Sequence, residues 1–125
     1  MVYKKKGYPA KPPGEAARNE VFGRYQHSAK SRGHSFDLTI EEFEEITKML
    51  CHYCGDSPSN KAQSGKTTGY FFYNGIDRKD NAIGYTKTNS VPCCRVCNRA
   101  KNSMLYDDFI AWITRVVEFN KESKE

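Results

Sequence analysis

An α+β fold, with helices toward both ends of the chain and a cysteine-bracketed β-hairpin between them, is what the 125-residue sequence predicts. Three observations carry that prediction. Apolar residues recur at helical spacing through the first third of the chain and again from Leu105 onward. A β-prone aromatic run, "YFFYNGID", occupies the middle. Two C-x-x-C pairs, Cys51/Cys54 and Cys94/Cys97, bracket that run. A chain of this length builds one core rather than two.

Residues 1–14, with Lys4, Lys5, Lys6 and Lys11 ahead of Pro12 and Pro13, have nothing to bury and form a basic, flexible arm. Residues 15–50 are a helical lead-in. Ala17, Val21, Phe22, Tyr25 and Ala29 give the buried face of a first helix, which Gly33 stops. In "DLTIEEFEEITKML", Thr39 and Glu42 stand at capping-box spacing, Leu38 can staple on Phe43, and Phe43, Ile46, Met49 and Leu50 form the buried stripe. The core, 51–103, opens with "CHYCG" and a Ser/Gly/Lys/Thr-rich loop. The aromatic strand follows, then a loop "RKDNAIGYTKTN", a short apolar "SVPCC" and a helix-compatible "RVCNRAKNSM". Residues 104–125 give a C-terminal amphipathic helix and short tail. Leu105, Phe109, Trp112, Ile113 and Val116 share its apolar side, expected to close the core.

The net charge of +5 is unevenly spread. Residues 1–36 and 60–103 each carry +6, against −5 over 37–59 and −2 over 104–125. Two basic zones alternating with acidic ones suit a surface that faces a polyanion. No apolar stretch approaches a membrane span and the N-terminus lacks a signal-peptide core, so a soluble, cytoplasmic protein without a membrane partner is expected.

Without an export signal, five cysteines argue against a disulfide framework. The two-residue gap in each pair lets two thiolates meet one ion from a tight turn. Together Cys51, Cys54, Cys94 and Cys97 offer a closed tetrahedral site for a structural zinc. Cys93 is an alternative to Cys94 with worse spacing to Cys97, and His52 is an exposed knuckle residue.

With cysteine pairs flanking "GIDRKDNAIGYTKTNSVPCCRVCNRAK", the sequence resembles the HNH, or ββα-metal, endonuclease family, in its small free-standing bacteriophage form. Asp77, Asn89 and "CRVCNRAK", with Asn98 and Lys101, match the family pattern, and the resemblance spans about residues 20–117. It implies a zinc-stapled ββα-metal motif. Asp77 and Asn98 would hold one catalytic Mg²⁺ or Mn²⁺, being hard oxygen donors, and Asn89 would tie the loop between the strands. Lys79, Lys87, Arg95, Arg99 and Lys101 would meet the phosphate backbone of double-stranded or branched DNA, giving low sequence specificity.

One position departs from the family pattern. Arg78 stands where the family places its general-base histidine, and a guanidinium cannot take a proton at ordinary pH. Arg78 can still grip phosphate or stabilise transition-state charge. The leading expectation is a metal-dependent DNA endonuclease, working alone, as a homodimer or beside a phage packaging partner. The rival is a catalytically weak or inactive HNH-fold zinc protein that binds DNA in a regulatory or packaging role. A third class, a protein-interaction module using the acidic 37–59 segment, has no motif behind it.

Overall fold

In the computed structural model, residues 11–65 and 68–122 are described; most of the expected basic arm, residues 1–10, lies outside them. The elements run α1 (Glu15–Ser31), α2 (Ile40–Thr47), β1 (Asn60–Ala62), β2 (Phe71–Tyr73), β3 (Gly75–Arg78), β4 (Ser90–Cys93), α3 (Arg95–Lys101) and α4 (Tyr106–Glu122).

Local chemistry sets the ends of the first two helices. Gly14 enters α1 at φ 84°, and its N–H donates to Thr68 O at 3.0 Å, so the end of the arm is docked. A Cβ there would lie 2.5 Å from Tyr70 O, so only glycine fits without a shift. At the other end Gly33 adopts φ 75°, while Gly33 N–H donates to Lys30 O and His34 N–H to Ala29 O. That pair of bonds is a Schellman stop. The capping box of α2 is present: Thr39 Oγ1 accepts from Glu42 N–H and Glu42 Oε1 accepts from Thr39 N–H.

The helix then ends earlier than its apolar stripe suggests. Thr47 turns its hydroxyl onto Phe43 O, and its own carbonyl accepts from Asn74 N–H. Met49 and Leu50, expected in the core, are 53% and 60% exposed on the turn into the first cysteine pair.

Asn74 also divides the aromatic run. Fully buried, its Nδ2 donates to Met49 O and Asp56 O, anchoring the chain between two strands instead of letting one continue. The upstream piece, β2, pairs with β1, a strand within the segment expected to be loop. The downstream piece, β3, pairs antiparallel with β4 in the register Gly75↔Cys93, Ile76↔Pro92, Asp77↔Val91, Arg78↔Ser90. Pro92 lacks an N–H and sits opposite Ile76, whose N–H turns outward to the Tyr25 hydroxyl at 3.1 Å. Proline is tolerated because that side of the two-stranded ladder needs no donor from it.

The core lies between α1, α2 and the hairpins: Ala17, Val21, Leu38, Phe43, Ile46, Phe71 and Ile76, with Phe22, Tyr25, Phe36, Tyr73 and Tyr85 around them. Phe22 meets Phe36 and Phe43 edge-on, with centroids 5.5 and 5.3 Å apart. The C-terminal helix contributes less than expected. Phe109 is buried, edge-on to Tyr53 of the cysteine knuckle, whereas Leu105, Trp112, Val116 and Phe119 remain exposed. The core is already closed by α1 and α2, so α4 is held by its first turns. Among the described residues no helix is long and apolar enough to cross a membrane.

Candidate metal centre and cleft

The two C-x-x-C pairs converge although 40 residues separate Cys54 from Cys94. The four Sγ atoms of Cys51, Cys54, Cys94 and Cys97 lie within 4.8 Å of one another, and Cys54 and Cys94 are 3.7 Å apart. Tetrahedral zinc with Zn–S bonds of about 2.3 Å needs sulfurs about 3.8 Å apart, so the cluster fits the ion. Backbone amides already face it. Cys94 N–H donates to Cys51 Sγ, and Cys97 N–H donates to Cys94 Sγ, which caps α3. Cys51 is pushed down to about 7: burial opposes the thiolate, and the N–H groups of Cys94, Cys54 and Tyr53 outweigh it. Cys93 lies outside the cluster. Burial first, and the charge of Asp77 second, push its thiol up, as befits a packed neutral residue.

The cluster ties the start of α3, which follows directly on β4, to the Cys51–Cys54 knuckle, and the β3–β4 pairing sets α3 beside β3. From this, one cleft of about 440 Å³ gathers Asp77 and Arg78 of β3, Asn81 and Tyr85 of the following loop, Asn98 of α3, and Arg24 and Arg32 of α1. Asp77 is buried. Tyr53 Oη donates to its Oδ2 at 2.6 Å, and Lys101 Nζ lies 3.2 Å from Oδ2 and 3.3 Å from Oδ1. Asn98 is exposed in the cleft. The Arg78 guanidinium donates to Asn81 O at 2.6 Å and Ile83 O at 3.1 Å, and lies 5.5 Å over the Tyr85 ring.

Asn89 holds the loop between the strands. Its Nδ2 donates to Asp80 O, Ile83 O and Gly84 O, and its Oδ1 accepts from Asp80 N–H. Asp80 forms a turn, accepting from Ala82 N–H.

The basic residues expected to meet DNA do not share one surface. Lys101 is the plain correction: it is fully buried, bonded to Asp77 and to Arg78 O, and presents nothing to a phosphate. It follows Cys97 by four residues and Cys94 by seven, hence faces inward with those sulfurs. That spacing was the available signal. Lys87 is 4.0 Å from Glu42, Lys79 lines a separate groove beside His52 and Tyr106, and Arg95 lines a groove adjoining Arg24. Arg99 is exposed. Sequence reasoning did not single out Arg24, Arg32, Tyr53 or Tyr85, which tertiary packing alone brings to this region.

No protein-family model matches the chain. An uncharacterized protein of Acanthamoeba polyphaga mimivirus is 31% identical over 103 residues, 82% of this chain. The chain spans 17% of the length of that relative. Among solved structures, the rare-cutting HNH restriction endonuclease PacI superposes with a TM-score of 0.58 at 19% identity, over 86% of this chain and 80% of its own. The protein therefore has an HNH-like α+β fold, with a four-cysteine cluster able to hold a metal ion such as zinc.

Proposed function

We propose that the protein is a metal-dependent DNA endonuclease of HNH type with low sequence specificity. The observation that carries this reading is the cleft in which Asp77 at the end of β3, Arg78 beside it and Asn98 on α3 come together within an HNH-like fold. Asp77 and Asn98 are the residues that would hold Mg²⁺ or Mn²⁺. Both carboxylate oxygens of Asp77 already accept hydrogen bonds, but each carboxylate offers about four lone-pair positions, so the donor set still fits a hard cation. A bound divalent ion supplies charge stabilisation at the scissile phosphate.

The chain's own residues supply the rest. Tyr53 and Lys101 fix the Asp77 carboxylate, Asn89 fixes the loop, and Arg78, anchored to two carbonyls, offers its remaining donors to a phosphate oxygen. Arg78 occupies the base position of the family pattern without serving as a base. Among the described residues no histidine lines the cleft, and we assign the base role to His34, on the loop after α1. It follows the Gly33 stop of α1, next to Ser35, whose carbonyl accepts from the N–H of the cleft residue Tyr85. Desolvation first, then the charges of Arg78 and Arg32, lower its pKa, which keeps the imidazole neutral near pH 7.

The test is nicking of supercoiled plasmid with Mg²⁺ or Mn²⁺. Metal-dependent nicking that disappears in Asp77→Ala and Asn98→Ala supports the enzyme; DNA binding without nicking under either metal sinks it and leaves the non-catalytic DNA-binding reading, which the arginine at position 78 favours. Arg78→His then separates two roles. A large gain in rate marks a poor native base, and a loss marks arginine as catalytic.

A further inference from the structure

Helix α1 lies outside the ββα motif, yet it forms part of the wall of the cleft through Arg24, Ser28 and Arg32. These stand at i, i+4 and i+8, within about 80° of arc on a helix of 3.6 residues per turn. Ala17 and Val21 share that side of the helix and pack into the core, and Val21 also lines the cleft, so the cleft opens where the buried face of α1 gives way to its arginines.

Arg24 and Arg32 are exposed and enter none of the ion pairs among the described residues. Arg18, on the same helix, shows what a structural arginine does here: it is tied to Glu15 and Glu44. The cleft holds one carboxylate, Asp77, which is matched by buried Lys101. Arg24, Arg32 and Arg78 therefore leave the cleft with uncompensated positive charge.

The spacing identifies the polyanion. Eight helical residues separate the two α1 arginines by about 12 Å along the axis, more than one phosphate group spans. The same length covers three to four nucleotide steps of a strand rising about 3.4 Å each. Beyond Arg24 a neighbouring groove holds Lys61 and Arg95 together with one carboxylate, Glu20.

We propose that the Arg24–Ser28–Arg32 face of α1 binds the phosphodiester backbone of nucleic acid and holds the strand along the α1 side of the cleft. This rests on the DNA-acting reading of the cleft and adds a binding wall that the motif does not contain. Its role is to position the strand, with Arg78 nearest the scissile phosphate.

The experiment is fluorescence anisotropy of a labelled duplex oligonucleotide against the zinc-loaded full chain, over a range of salt concentrations, with Ca²⁺ in place of Mg²⁺. Each phosphate contact contributes about 0.9 to the slope of log K against log salt. Arg24→Ala/Arg32→Ala should flatten the slope by about 1.8 and weaken low-salt binding at least tenfold. Arg24→Lys/Arg32→Lys should keep most of the slope. Lys30→Ala, on the far side of the same helix, should leave it unchanged, and circular dichroism should show every variant folded.

An unchanged slope in the double alanine variant, or an equal loss in Lys30→Ala, overturns the wall. So does competition by a mononucleotide at concentrations as low as those of the oligonucleotide. A wild-type chain that binds no DNA overturns the wall and the DNA reading together. One that binds with the predicted slope change but never nicks supports the wall and sinks only the endonuclease.

Discussion

Replacing Lys101 with methionine tests the most unusual feature of the site, a lysine with no exposed surface. In the folded protein its ammonium meets Asp77 Oδ2 at 3.2 Å, Asp77 Oδ1 at 3.3 Å and Arg78 O at 3.3 Å. Methionine fills similar volume and removes all three contacts, leaving the buried carboxylate with the Tyr53 hydroxyl as its remaining side-chain partner. Breaking a buried pair by removing one partner costs about 3–5 kcal/mol. The 2.6 Å bond from Tyr53 keeps the expected loss near the lower end, about 3 kcal/mol. Asp77→Asn/Lys101→Met removes both charges, and should recover all but about 1–2 kcal/mol of wild-type stability. The assay is urea unfolding of the zinc-loaded protein in buffer free of Mg²⁺, Mn²⁺ and chelator, so that every variant starts from the same metal occupancy. Together with the Asp77→Asn single variant, it closes a double-mutant cycle with an expected coupling of at least about 2 kcal/mol. A Lys101→Met loss under about 1 kcal/mol, or strictly additive single losses, would refute the buried-pair account.

Zinc analysis of the purified chain should return one ion per molecule, and strong chelation or Cys51→Ser should abolish the cooperative thermal transition; a chain still folded without metal would show that the cluster is not what holds the fold. Asn89→Ala removes four side-chain bonds to the loop backbone. It should cost about 2–3 kcal/mol and raise hydrogen exchange across 79–89, whereas exchange confined to residue 89 would count against its bracing role. Since the His34 pKa is lowered, the acid limb of the cleavage profile should fall below the ordinary histidine value near 6.5, with activity present above it and lost as pH drops through it. His34→Gln should erase that limb and slow cleavage by about 10²-fold or more, and an unchanged profile would remove His34 from the mechanism.

What the sequence made legible is what covalent spacing controls. The capping box at Thr39 and Glu42, the Gly33 stop and the knuckle spacing of Cys51/Cys54 and Cys94/Cys97 are set by neighbours within a few residues, and each forms as expected. Asp77 at the end of a strand and Asn98 on a short helix follow from the same local patterns, because β4 runs directly into α3 through Cys94. Where the expectation failed, a distant partner decided. The run "YFFYNGID" reads as one strand in sequence, but carbonyls from residues 47, 49 and 56 hold Asn74 in the interior and split the run into two. The stripe of α4 is apolar by period, yet a period cannot say whether a core is already full.

The same distinction governs the charges of the site. A lysine three residues from a cleft asparagine looks like a phosphate contact when charge is counted along the chain. Burial decides otherwise: Lys101 is sealed against Asp77, while Asn98, one turn earlier on the same helix, opens to the cleft. Burying Lys101 against Asp77 takes one cation away from nucleic acid and places it under the carboxylate, leaving cleft charge to Arg78 and to α1. If the arginines of α1 hold the strand, the functional unit extends beyond 51–103, and the lead-in helix belongs to the site as much as the zinc-stapled hairpin does.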